Sequence, residues 1–503
     1  MVLVLLQELA IIINRTKLKG LREIDFPFSD RSELAKLYQF ISDNALFSET
    51  ELLQALHVDN RKFHKLSAAL SERLMGSLFL IDLKQSSYTD RQRAYYECYK
   101  DWAAAKILQG KNARRSAVLI SERILRQAIR YEFTELSIDI ARFLRMHYGA
   151  IQLDPDKYHR YAQMAAQFNE LYAVEERIES AYVHLVQQFL TRQAMGKELS
   201  DLARAQFNDI EPLLSTYHSH NAHLYGRLIE MMIYTSTDQN ERVLPVCDNL
   251  IAFFSAKGYI ASVPLLAAYY QKMESLLELR RYDEQDMGIE KCFELLEEGS
   301  FNWFKYQETY LILLLHTQRY AEAHSIFGRA VAHKKFPYQP EALREYWRIL
   351  EAYLHFLMET GQLPADPHKP LPPFKLGRFL NETPIYAKDR RGINISILII
   401  QLLFLIVQRK YSQAVDKVDA IQRYVDKYLR QPETKRAYLF IKALLALPLY
   451  HFDRKAVMAK TDRYISELKE HHAKGAIVQS HLIEILPFEH QWELLASQLP
   501  NRL

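Results

Sequence analysis

Three histidines stand close together in the stretch YHSHNAH, at His218, His220 and His223. They are the one group in the chain with ligand-like spacing, since three neutral imidazoles can hold a zinc ion. Such a site also needs a carboxylate or carbonyl behind the rings to fix their tautomers, and the sequence places none there. The polar start of a helix accounts for the same triplet, so no metal is assigned. The acidic pairs Glu175-Glu176 and Glu297-Glu298 are chain neighbours. On a helix they point in different directions and make no general acid/base pair. Gly110-Lys111 lacks the second glycine and the hydroxyl that a phosphate loop needs to converge backbone amides on a phosphate. A nucleophile elbow, a zincin helix and paired-cysteine zinc spacing do not occur either. The sequence therefore assigns no catalytic residue and no cofactor.

Charge is the remaining chemistry. A guanidinium can grip a carboxylate or phosphate through two parallel N–H bonds, and a lysine can do so as a point charge. Three groups of basic residues have the spacing for it. Arg115, Arg123 and Arg126, with Arg130, share one side of a helix expected within 111–130. Lys375, Arg378, Lys388, Arg390 and Arg391 lie in the segment 362–392, which holds six of the 17 prolines. Arg61, Lys62 and Lys65 lie in the first turns of a helix expected from Asn60 to Met75, where phosphate contact and groove entry would need them. The plainer reading of each group is a solvated face, with arginine stems covering apolar neighbours and charges in water.

The elements that must carry these groups are helices. Only 14 Gly and 17 Pro occur in 503 residues, with 49% hydrophobic and 25% charged composition, which favours many helices over a sheet-rich fold. A net charge of +4 on 65 basic and 61 acidic residues creates no global field that demands nucleic acid or a membrane. Cys98, Cys247 and Cys292 are far apart within helical patterns, which suits buried thiols in a reducing compartment, without a disulfide framework. The opening run MVLVLLQELAIIIN lacks a basic leader and a cleavage site, so it is expected to be a packing helix. The run Ile393 to Val407 is 15 residues long, short of the roughly 20 that span a bilayer. A cytoplasmic location is the resulting expectation.

Tyr320, Ala323, Phe327 and Ala330 recur at intervals of three, four and three, which places them on one helix face where small residues admit a neighbouring helix. Similar turns recur at Arg281-Tyr282 and at Lys410-Tyr411, the latter followed by Ala414, Val418 and Ile421. This pattern resembles the second helix of the tetratricopeptide repeat, over about residues 240–335 and 393–450. Tyr282 and Tyr320 stand 38 residues apart, against roughly 34 in the regular repeat, and Leu311 replaces the small residue of the preceding helix. The resemblance implies an all-α, tetratricopeptide-like α-solenoid of stacked antiparallel helical hairpins that binds a protein or peptide.

Four regions are expected: an N-terminal helical part at 1–88, a solenoid at 89–361, the Pro-rich basic insertion at 362–392, and C-terminal helical repeats at 393–503. In the first, helices at Ser32–Asp43, Ser48–Leu56 and Asn60–Met75 and a strand at Ser77–Lys84 are predicted, the elements a winged-helix domain would need. Asp154–Ala194 is predicted to form two helices. The leading expectation is a non-enzymatic protein-binding scaffold. The alternative is a regulator whose N-terminal part binds nucleic acid while its repeats sense a partner.

Overall fold

A computed structural model describes residues 5–10, 33–43, 49–81, 89–191, 195–282, 288–364, 375, 377–379, 393–428, 435–470 and 484–501. The fold is all-α, with no β-strand among the described residues. Two compact units divide the chain, Met1–Glu170 and Leu171–Leu503.

In the first unit α1 covers 5–10, followed by α2 (Glu33–Asp43), α3 (Glu49–Leu56), α4 (Asn60–Leu78), α5 (Asp90–Gly110), α6 (Arg114–Arg130) and α7 (Thr134–Ala150). Leu6, Leu9, Leu37, Ile41, Leu52, Phe63, Leu70 and Leu74 bury together as the core of α1–α4. Asp59 opens α4 by accepting the Lys62 N–H at 2.7 Å, which satisfies one of the donors every helix start leaves unpaired.

The strand expected at Ser77–Lys84 is replaced by helix over its first two residues, while Phe79 and Leu80 form a turn and Ile81 makes an isolated β-bridge. Ser77 and Leu78 are helical, because Leu70, Leu74 and Ser77 continue a buried stripe at helical spacing. The Ser77 hydroxyl also donates to the Arg73 carbonyl at 2.7 Å. Residues 82–84 of that expectation lie outside the described residues.

Asp154–Ala194 holds one helix instead of two over its described length: α8 runs Pro155–Leu190, 36 residues, with no glycine or internal proline to stop it. The unit boundary falls within it.

The second unit continues with α9 (Lys197–Thr216), α10 (His220–Thr235), α11 (Asn240–Ser255), α12 (Ser262–Glu278), α13 (Ile289–Leu295), α14 (Phe301–His316), α15 (Tyr320–Ala332) and α16 (Glu341–Glu359). Then come α17 (Ile393–Val407), α18 (Tyr411–Tyr428), α19 (Lys435–Leu449), α20 (Arg454–Glu470) and α21 (Phe488–Gln498). Consecutive helices pack on one another as antiparallel hairpins, the arrangement of an α-solenoid. The face Tyr320, Ala323, Phe327 and Ala330 is buried as its spacing requires. Beyond it Phe327 stacks on Trp347 at 5.8 Å. Leu311 is fully buried in α14.

One turn recurs between these helices. At Asn112, Glu132, Asp238, Arg280, Gln318 and Arg409 the backbone is left-handed, with φ between 52° and 60°. The N–H of the following residue reaches back to the carbonyl five positions earlier: Ala113 to Leu108 at 2.9 Å, Phe133 to Ala128 at 2.8 Å, Arg319 to Leu314 at 2.8 Å and Lys410 to Leu405 at 2.8 Å. This is the Schellman closure, which pairs the carbonyls a helix end leaves open and turns the chain within two or three residues. At these joints a short turn of fixed geometry sets the next helix antiparallel to the one before it.

Candidate interaction surface

Helix α6 is the middle layer of α5–α7. Its inward stripe is Ala117, Val118, Ser121, Ile124, Leu125 and Ala128. Arg115, Leu119, Arg123, Arg126 and Arg130 are left exposed on the opposite side. At 100° per residue, Arg115, Arg126, Leu119 and Arg130 fall within an arc of roughly 60°. Arg123 lies at the edge facing α5, where Asp101 neutralises it at 2.8 Å. On the other edge Glu122 is already engaged. It accepts hydrogen bonds from the hydroxyls of Tyr148 at 2.9 Å and Tyr161 at 3.2 Å, and Lys157 sits 3.7 Å away. Burial, followed by the nearby Glu122 carboxylate, pushes the Tyr161 hydroxyl up to about 12, so it stays a protonated donor. Among the described residues no carboxylate pairs with Arg115, Arg126 or Arg130. The Arg130 guanidinium lies 5.3 Å from the Tyr131 ring centre.

The other basic groups fare differently. Arg61, Lys62 and Lys65 are exposed on the first turns of α4, and Lys62 is paired with Glu33 of α2. In the Pro-rich segment Lys375 and Arg378 are exposed, while Phe379 next to them is buried. Lys388, Arg390 and Arg391 lie outside the described residues.

The histidine triplet is taken up in packing contacts, with the His218 and His223 rings stacked at 5.5 Å. His220 meets the Tyr259 hydroxyl at 3.0 Å and packs edge-on against Phe254. His223 bonds the Leu214 carbonyl at 3.1 Å and stacks on Phe253 with ring centres 3.8 Å apart. Desolvation, with smaller contributions from Arg227, His218 and Lys257, lowers His223 to about 4. Among the described residues no group of three or more His, Cys, Asp or Glu is arranged to hold a metal ion. Of the acidic pairs, Glu175 is buried and Glu176 exposed, as neighbours roughly 100° apart on one helix can be. All three cysteines are buried and unpaired, and burial raises each thiol to about 12.

One polar constellation escaped the sequence reading. Arg436, near the start of α19, donates to both oxygens of Glu484, at 3.0 and 2.7 Å, and to both oxygens of Glu489, at 2.8 and 2.9 Å. It also donates to the Leu468 carbonyl at 2.6 Å. Arg280, in the turn after α12, bonds the same two carboxylates. His316 bridges the Glu484 carbonyl at 2.8 Å and the Tyr282 hydroxyl at 2.9 Å. Arg436 is 7% and Glu484 4% exposed. Burial alone would raise the Glu484 carboxyl, but the two guanidiniums outweigh it and hold it below the usual carboxylate range. A buried pair satisfied on every side, with two arginines already committed to two acids, is a clamp rather than a reaction centre. The sequence signal was a single arginine in the apolar stretch KRAYLFIKALLALPL and the glutamates of HLIEILPFEH.

No helix among the described residues is long and apolar enough to cross a membrane. No family model, curated protein or solved structure matches the chain.

Proposed function

We propose that this chain is a tetratricopeptide-like scaffold that binds another protein without making or breaking bonds, with the exposed face of α6 as a contact surface. The observation that carries this reading is the set of exposed arginines on α6, of which only Arg123 has a carboxylate partner among the described residues. Lys375 and Arg378 of the Pro-rich segment are exposed as well and offer a second cationic contact. The helix fixes the spacing of the arginine stems, and each planar guanidinium can meet a carboxylate through two parallel N–H bonds. The test is affinity capture from native lysate with nuclease treatment, comparing the wild-type chain with an Arg115→Glu/Arg126→Glu variant. A protein retained after nuclease by the wild type and lost from the variant supports the reading. Equal retention removes α6 from the surface, and retention of nothing removes the scaffold.

A second reading is a nucleic-acid-binding regulator. It is favoured by Arg61 and Lys65, exposed at the start of α4 above a compact helical core. Arg61→Glu/Lys65→Glu should abolish binding of labelled duplex DNA and flatten its salt dependence. Unchanged binding would remove this reading.

A further inference from the structure

We infer that the face of α6 recognises an acidic segment of a protein that carries a large apolar side chain among its carboxylates, a proposal that rests on the scaffold reading and names its partner's chemistry. The argument begins with Leu119. It is 68% exposed and lies on the same narrow arc as Arg115, Arg126 and Arg130. Along the axis it stands roughly 6 Å from Arg115 and roughly 10 Å from Arg126 at 1.5 Å per residue. Ile129 is a further 40% exposed at the edge of the arc.

A phosphate backbone gains nothing from an apolar side chain between its cationic contacts. A peptide that places a leucine or phenylalanine over Leu119 and carboxylates on either side uses all of the surface. It buries the apolar pair while the guanidiniums take the acids. The charge pattern agrees, because the acids bordering the arc, Asp101 and Glu122, are already held by Arg123 and by Tyr148, Tyr161 and Lys157. Arg115, Arg126 and Arg130 thus retain their charge toward solvent. Their span, roughly 22 Å from Arg115 to Arg130, matches a helical partner of about four turns.

The test uses the full chain and two fluorescein-labelled probes, a glutamate-rich helical peptide with leucine at every fourth position and its counterpart with serine in place of leucine. Labelled oligothymidine is a third probe, and fluorescence anisotropy is read for the wild type, Arg115→Glu/Arg126→Glu and Leu119→Ser. The expected result is saturable binding of the leucine peptide, at least tenfold weaker binding of the serine peptide, and loss of about tenfold or more in either variant. All substituted side chains are exposed, and circular dichroism confirms that the variants fold. Equal binding of both peptides with no effect of Leu119→Ser overturns the proposal. So does oligothymidine binding as tightly as the leucine peptide, or failure of the leucine peptide to bind. If lysate capture by wild type and variant still retains the same protein, only this partner assignment fails, whereas capture of nothing by either fails the scaffold reading too.

Discussion

Replacing Arg436 by methionine tests whether the second unit is held by its buried clamp. The substitution keeps much of the buried stem and removes the guanidinium that donates to Glu484, Glu489 and Leu468. Removing one partner of a buried pair costs about 3–5 kcal/mol, because the other charge is left in a poor solvent. Arg280 stays in contact with both carboxylates, which places the expectation near the lower end, about 3 kcal/mol. Titration gives the direction of the pH dependence. The two guanidiniums hold the Glu484 carboxyl below a free glutamate against its burial. The sign follows from the depressed folded value: the contribution is present in full above the unfolded value of roughly 4.3 and is lost as pH falls through the lower folded value. In the variant one of the two guanidiniums that hold the Glu484 carboxyl down is gone, so it titrates higher and acid unfolding begins at higher pH. Urea unfolding followed by tryptophan fluorescence should show a midpoint lower by about 1 M. Two units need not unfold together, so hydrogen exchange of α19 and α21 localises the loss. Adding Glu484→Met to Arg436→Met should restore part of it, since neither buried charge then remains alone. A single variant within about 1 kcal/mol of wild type, or a double variant that loses the full sum, would refute the reasoning.

Gln318, exposed in a left-handed turn, should accept Gln318→Gly with a gain of about 0.5–1 kcal/mol in urea unfolding. Arg280→Gly relieves the same backbone conformation yet should destabilise, because its side chain belongs to the clamp. His223 is lowered to about 4, so the unfolded chain binds its proton first as pH falls below roughly 6.5, and stability drops by up to about 3 kcal/mol between there and 4. In His223→Phe the thermal midpoint should fall less between pH 7 and pH 5 than in wild type. Cys98, Cys247 and Cys292, buried and with thiols raised to about 12, should react with a disulfide reagent only at the rate of unfolding, and fast labelling of the native chain would contradict their burial. Asp59→Ala removes the cap on Lys62 N–H and should cost about 1 kcal/mol, read as faster hydrogen exchange in the first turn of α4.

Helical periodicity was readable because it is local. Tyr320, Ala323, Phe327 and Ala330 declare a buried face through spacing alone. The turns were harder, because their left-handed positions hold Asn, Glu, Asp, Arg, Gln and Arg instead of glycine. Composition says nothing about such positions when the carbonyl pairing behind them supplies the stabilisation. The start of the strand expected after α4 was misplaced for a related reason. Phe79, Ile81 and Leu83 alternate, but Leu70, Leu74 and Ser77 had already committed the chain to helical spacing over a core it shares with α2 and α3. At α6, helical spacing revealed the arginine face, while the pairing of Arg123 with Asp101 depended on α5 and was invisible to it.

The clamp was beyond reach for a deeper reason, and that reason bears on how the second unit behaves. In a linear repeat array each repeat touches only its neighbours, and stability is close to a sum of repeat and interface contributions. Arg280 and Glu489 are 209 residues apart, so no periodic pattern can announce them. Their contact ties the turn after α12 to α21 and bypasses the helices between. α21 also packs against α17, α19 and α20, and the Tyr320 ring at the head of α15 stacks over His490 at 6.0 Å. Opening the end of α12, α19, α20 or α21 therefore exposes part of a shared buried charge network, which low dielectric makes costly. The second unit should open from α12 to α21 as one cooperative block, and hydrogen exchange reads this directly. In Arg280→Gly, protection at the end of α12 and throughout α21 should fall together, whereas loss at α12 alone would mean that the repeats act independently.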